Sequence, residues 1–136
     1  MTEVECRELE LMDALDQLGD FVLQQQYVMS FANKLAVLPE DERTQERKLS
    51  GCTAQAWLAV EPNDAAALDI RGWSDSLIVR GLMGAVAEMV RGIPACDIAS
   101  WQPRFMHETR VGRQIVYQRK HGLGSLIDRI IEAATA

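Results

Sequence analysis

Three cysteines and two histidines carry most of the nucleophilic and metal-ligating potential of this sequence. Cys6, Cys52 and Cys96 lie 46 and 44 positions apart, a spacing that suits neither a disulfide framework nor a chelating cluster, so three reduced thiols are expected. There is no Cys-x-x-Cys, and His107 and His121 do not form a pair at helical spacing, so no metal site is expected. Cys52 stands apart because it follows Ser50-Gly51 and runs into an alternating apolar segment. Gly51 permits a positive φ or a close backbone approach, which lets the next side chain sit at the apex of a turn. A thiolate there would be the reactive species, favoured by nearby cations. Arg47 and Lys48 are close in sequence, and Arg119 is a candidate neighbour in space. A single Cys after Gly also suits a small buried hydrophobe, and the residues alone leave both readings open. Lys34, Lys48 and Lys120 fall on polar faces or loops, so the sequence offers no lysine context for a pyridoxal phosphate (PLP) Schiff base of its own.

The elements that must position these groups follow from periodicity. Leu9, Met12, Leu15 and Leu18 recur in a helix over 5–18, and Phe21, Val28, Phe31, Leu35 and Leu38 extend the pattern over 21–38, giving two amphipathic helices divided at Gly19-Asp20 and ended by Pro39. Residues 39–50 are polar and aperiodic, a loop with room for a short strand near Lys48-Leu49. Over 54–61, Ala54, Ala56, Leu58 and Val60 share one face and Gln55, Trp57 and Glu61 the other, a half-buried strand. Trp57 either fills space beneath a layer of helices or shields the cysteine loop and meets a partner. Pro62-Asn63-Asp64 supplies turn chemistry, and Leu68, Ile70 and Gly72 mark the returning strand of a hairpin.

Ser74 is expected to N-cap a helix over 75–91, with Asp75 at its positive end, Arg91 at its negative end and Gly92 closing it. Asp75 reads first as a partner of the helix dipole and second as an anchor for the neighbouring loop. Gly81 and Gly84 inside this helix cost about 1 kcal/mol each relative to Ala, which implies close packing against another backbone. Short helical turns follow Pro94 and Pro103, and a last helix from about Arg119 buries Leu123, Leu126, Ile127, Ile130 and Ile131. Arg119 reads by default as a solvated residue at the start of this helix, although a cation is unfavourable at a helix N-terminus, which favours the alternative of a partner near Cys52. Helices, a small antiparallel sheet and helices packed on it define an α+β domain.

The sequence has 136 residues, 48% of them hydrophobic and 25% charged, which fits one domain over 1–136. No apolar run reaches the ~20 residues of a membrane span, and the start lacks the basic and apolar regions of a signal peptide, so a cytoplasmic protein is expected. The net charge is −6. Residues 101–136 are net positive, but their cations are not interleaved with aromatics, which argues against nucleic acid and suits a protein partner that meets an oriented charge distribution.

Leu49-Ser50-Gly51-Cys52-Thr53-Ala54-Gln55-Ala56-Trp57-Leu58 resembles the Gly-Cys-x-x-Gln-x-Trp signature of the SufE family, the cysteine-desulfuration proteins of iron–sulfur cluster assembly. Gly72-Trp73-Ser74-Asp75-Ser76-Leu77-Ile78-Val79-Arg80-Gly81-Leu82 is similar to the family's Gly-x-Ser-Asp-x-x-Ile-Val-Lys/Arg-Gly-Leu. Arg119-Lys120-His121-Gly122-Leu123 resembles its Arg-x-x-Gly-Leu, while Tyr27 and Leu35 match its early helix more loosely.

The resemblance implies an α+β fold shared with IscU-type scaffolds. It makes Cys52 the acceptor of persulfide sulfur from a PLP-dependent cysteine desulfurase, with stimulation of that enzyme. Gly51, Gln55, Asp75 and Arg119 become supporting residues. Sulfur then passes to a downstream iron–sulfur scaffold or other acceptor, and PLP belongs to the partner, so no resident cofactor is implied. A persulfide open to reductants would lose its sulfur, which implies a Cys52 that rests partly shielded. Two other functions share the fold or the surface. A cluster scaffold would need three converging cysteines, and a silent interaction module would use Cys52 only structurally.

Overall fold

The structure, a computed structural model, describes residues 1–49, 54–113 and 122–135. Helix α1 (Glu3–Leu18) starts where the Thr2 hydroxyl accepts from the Glu5 amide and stops at Gly19, whose φ of 70° a side chain would resist. It buries Val4, Leu11 and Leu15. Its Glu8 is buried as well, and the carboxylate accepts from the Trp101 indole and the Arg104 and Phe105 amides. A charge taken out of water needs such donors, and these tie α1 to a segment nearly a hundred residues away. Helix α2 (Phe21–Ser30) is capped by Asp20.

The second helix expected over 21–38 ends eight residues early. After Ser30 the backbone tightens into a 3₁₀ turn (Phe31–Lys34) and then forms strand β1 (Ala36–Val37). The apolar spacing misled because a 3₁₀ turn followed by a strand buries Leu35 and Leu38 just as a helix would, while Ala36 and Val37 face out.

Strands β2 (Ala56–Pro62) and β3 (Leu68–Ser74) form the expected antiparallel hairpin, with Trp57 opposite Trp73 and Leu58 opposite Gly72. Strand β1 joins β3 in parallel, so the sheet is mixed, in the order β1-β3-β2. The alternation in β2 and β3 predicted the hairpin, whereas a two-residue strand has no periodicity to read. One face, with Ala56, Leu58, Leu68, Ile70 and Gly72, is buried, and a Cβ at Gly72 would meet the Met83 methyl group of the next helix.

That helix, α3 (Leu77–Val90), is capped by Ser76 rather than Ser74. Ser74 remains in the strand, where its hydroxyl donates to the Gln55 carbonyl and accepts from the Ser76 amide, so the helix begins two residues later than expected. Gly81 and Gly84 do pack against another backbone. A Cβ on Gly81 would overlap the Val28 carbonyl, and one on Gly84 that of Phe31. At the far end Arg7 of α1 donates to the carbonyls of Glu88, Met89 and Arg91, satisfying orphan acceptors of the helix terminus. Two short helices, α4 (Ala95–Ala99) and α5 (Phe105–Glu108), follow Pro94 and Pro103 as expected. The C-terminal helix (Gly122–Thr135) packs on α4 and β2 and buries Leu126, Ile127 and Ile130. Ile131 is half-buried, and the Leu123 side chain lies outside the described set.

Candidate functional site

Gly51, Cys52, Arg119 and His121 lie outside the described residues, as does the expected shielding of the thiol. Gln55 and Asp75, the other two supporting residues, are described and stand together. The Gln55 amide donates to the Asp75 carboxylate at 3.0 Å, and the Asp75 amide donates to the Gln55 carbonyl at 3.2 Å. With the Ser74 hydroxyl at 2.7 Å from the same carbonyl, the backbone that follows the cysteine segment is held by three hydrogen bonds. Asp75 is therefore an anchor of that segment first. It precedes the helix cap instead of occupying the first turn, so its expected role as a dipole partner is secondary.

The N-terminal side is held too. Lys48 bridges to Trp57, the Leu49 amide donates to the Ala56 carbonyl at 2.8 Å, and Leu49 is buried. Arg129 of the C-terminal helix donates to the Lys48 carbonyl at 2.8 Å. Leu49 and Ala56 thus meet across a ladder hydrogen bond, so the described residues that flank the cysteine segment on its two sides lie together at one end of the sheet.

The outer sheet face carries charge and aromatics. Residues 39–48, expected as an aperiodic loop, form two 3₁₀ turns (Glu40–Glu42 and Gln45–Arg47) that are tied to the strands by ion pairs. Arg71 of β3 reaches Glu42 at 3.1 Å and Glu61 of β2 at 3.1 Å, with Arg47 within 3.7 Å of Glu42 and 3.9 Å of Glu61. Hydrogen bonding by the Arg71 guanidinium holds the Glu42 carboxyl below its ordinary value and raises Arg71 in turn.

Toward the cysteine segment the pairing stops. Trp73 has the Arg80 guanidinium 4.3 Å and the Arg43 guanidinium 4.6 Å from its ring centroid, and the Lys48 ammonium is 5.9 Å from that of Trp57. Both tryptophans are half-buried, so Trp57 does not fill space deep under helices. Sequence alone assigns no individual role to Trp73, Arg43 or Arg80. The available signal was alternation in β3, which places a large aromatic on the same face as Asp69 and Arg71.

Of the remaining candidates, Cys6 is half-buried on α1, Cys96 is exposed on α4 and His107 is exposed on α5. Among the described residues no three His, Cys, Asp or Glu side chains meet in a way that could hold a metal ion.

A small mixed sheet backed by helices on one face defines an α+β domain. The profile of the SufE family, described as an Fe-S metabolism associated domain, matches residues 9–134. The chain belongs to this family and takes part in iron–sulfur metabolism. An uncharacterised SufE-like protein of Rhizobium etli is 34% identical over 135 residues, covering 90% of each chain. A hypothetical protein of Thermus thermophilus, solved in solution, superposes with a TM-score of 0.76 over 95% of this chain and 93% of its own, at 13% identity. That similarity shows the fold alone.

Proposed function

We propose that this protein accepts sulfur on Cys52 from the persulfide of a PLP-dependent cysteine desulfurase, stimulates that enzyme, and passes the sulfur to a scaffold or other acceptor for cluster assembly. The observation that carries the reading is the fixing of both ends of the cysteine segment, by Leu49 to Ala56 on one side and by Asp75 and Ser74 to Gln55 on the other. Fixed attachment points on both sides favour the presentation of a single thiol to a donor sulfur. Family membership supplies the metabolic context.

The chemistry is a thiol exchange. The Cys52 thiolate attacks the outer sulfur of the donor persulfide, the sulfur–sulfur bond of the donor breaks, and the donor cysteine leaves as a thiolate. Cys52 then holds the persulfide. No electrons are gained or lost overall, so no oxidant or second cysteine is required, and Cys6 and Cys96 are spectators. PLP remains with the partner, which makes this protein an accessory to an enzyme. Exchange of this kind needs free thiols, which suits the reducing cytoplasm, and no described helix is long and apolar enough to cross a membrane.

The test is sulfide release by a cysteine desulfurase of the same organism, under reducing conditions, with and without this protein. The rate is expected to rise with added protein and to stay at the basal level with Cys52→Ser. No rise with any such desulfurase, or equal stimulation by Cys52→Ser, contradicts the reading.

A further inference from the structure

The outer face of the sheet sorts its charges by position. At the end away from the cysteine segment, the cations Arg47 and Arg71 are matched by Glu42 and Glu61. At the end beside it, Arg43, Lys48 and Arg80 have no carboxylate within ion-pair distance among the described residues, and all three lie against tryptophan rings. The nearest acidic residue along the strand, Asp75, accepts a hydrogen bond from the Gln55 amide.

The cation–π contacts stabilise this cluster, yet it carries costs as a merely solvated surface. Two guanidiniums on one ring repel each other, and the Arg80 Nε is buried with no acceptor among the described residues, a desolvation that they do not repay. The Arg43 Nε donates to the Leu38 carbonyl at 2.9 Å, which leaves the terminal nitrogens of both stacked guanidiniums to meet a carboxylate, and Trp and Arg side by side are the composition that dominates protein interfaces. The tryptophans are directly opposite each other in the hairpin, so the aromatic floor is rigid. In a protein of net charge −6, a local cluster of cations without carboxylate partners among the described residues selects for a negatively charged partner.

We infer that Trp57 and Trp73, with Arg43, Lys48 and Arg80, form the docking contact for an acidic segment of the sulfur-donating desulfurase. The inference rests on the function proposed above and adds the surface and the chemistry of recognition. Carboxylates of the partner pair with Arg43 and Arg80 while one of its apolar residues packs over the tryptophans. A nucleic acid would also meet cations and rings, but three cations on an acidic protein give little of the phosphate neutralisation such binding needs.

The experiment is a calorimetric titration of the desulfurase of the same organism, its own active cysteine replaced by Ser, with this protein and its variants. Arg43→Glu and Arg80→Glu are each expected to raise Kd about tenfold or more, and the double variant further. Arg43→Lys and Arg80→Lys keep the charge but lose the stacked guanidinium, so each is expected to raise Kd less than its Glu counterpart, whereas a purely structural role of the stacks would make the two substitutions equally costly. Arg91→Glu reverses a charge about 16 Å along α3 from Arg80 and is expected to leave Kd unchanged. Raising the salt from about 0.05 to 0.5 M should weaken the unmodified protein more than the double variant. If the unmodified protein binds and the reversals bind equally well, the inference is overturned and the proposed function stands. No binding by the unmodified protein overturns both. Tighter binding of a single-stranded oligonucleotide than of the desulfurase overturns the inference as well.

Discussion

Asp75 and Gln55 exchange two hydrogen bonds, one through a carboxylate and one between backbones. The carboxylate bond is exposed, so its loss costs about 1 kcal/mol rather than the larger values of buried charge-assisted bonds. Asp75→Ala is expected to lower Tm by about 4 °C, and Asp75→Asn, which keeps an acceptor, by less. Thermal unfolding of the two variants checks the order. An unchanged Tm for both would mean that the Ser74 hydroxyl and the Asp75 amide hold the segment without the carboxylate. At this scale, the sequence disclosed Gln55 and Asp75 through their motifs, and alternation placed Trp57 correctly on the outer face. It did not disclose the Arg43–Trp73–Arg80 stack, because Arg43 reaches Trp73 only once residues 39–48 are laid across the strands. Such a contact has no signature in local spacing.

At the scale of elements, α3 is fixed by glycine on one side and by the sheet on the other. Gly84→Ala would gain about 1 kcal/mol of helix propensity, yet the added methyl meets the Phe31 carbonyl. The overlap forces α3 away from the 3₁₀ turn, and a net loss of about 1–3 kcal/mol in chemical denaturation is expected. A stabilised variant would show that the two backbones are not in contact.

The segment 39–48 depends on ion pairs instead. Because Arg71 holds the Glu42 carboxyl below its ordinary value of 4.5, the stabilisation from this pair is complete above that value and fades as the pH falls through the depressed one. Glu42→Gln is therefore expected to melt below the unmodified protein at pH 7, with the gap closing under acid conditions. A gap that widens on acidification contradicts the assignment. Gly81 and Gly84 signalled their packing from sequence because Gly is costly inside a helix. The break of the second helix at Ser30 gave no such signal, since burial of Leu35 and Leu38 is satisfied by either conformation and only pairing with β3 decides between them. The helix start at Ser76 was obscured for a related reason. Ser74 has equal capping chemistry, but the ladder engages its hydroxyl first.

Across the whole molecule, the elements converge on one end of the sheet, where the ladder bond from Leu49, the Asp75 anchor and the cations stacked on the tryptophans surround the two ends of the segment bearing Cys52. The α+β class, the hairpin and the family were legible because motif spacing and strand alternation are local properties of the sequence. The parallel edge strand, the buried Glu8 that joins α1 to α5, and the charge sorting on the outer face arise from long-range packing and were not. The claim that binds these observations together is that Cys52, and neither Cys6 nor Cys96, receives sulfur. Its most direct test is peptide mass mapping after incubation with a cysteine desulfurase and cysteine. The peptide containing Cys52 is predicted to gain mass in whole sulfur atoms, reversibly on reduction, with Cys6→Ser and Cys96→Ser loading as the unmodified protein does. Labile sulfur on Cys52→Ser, or its loss on replacing either other cysteine, would contradict the account.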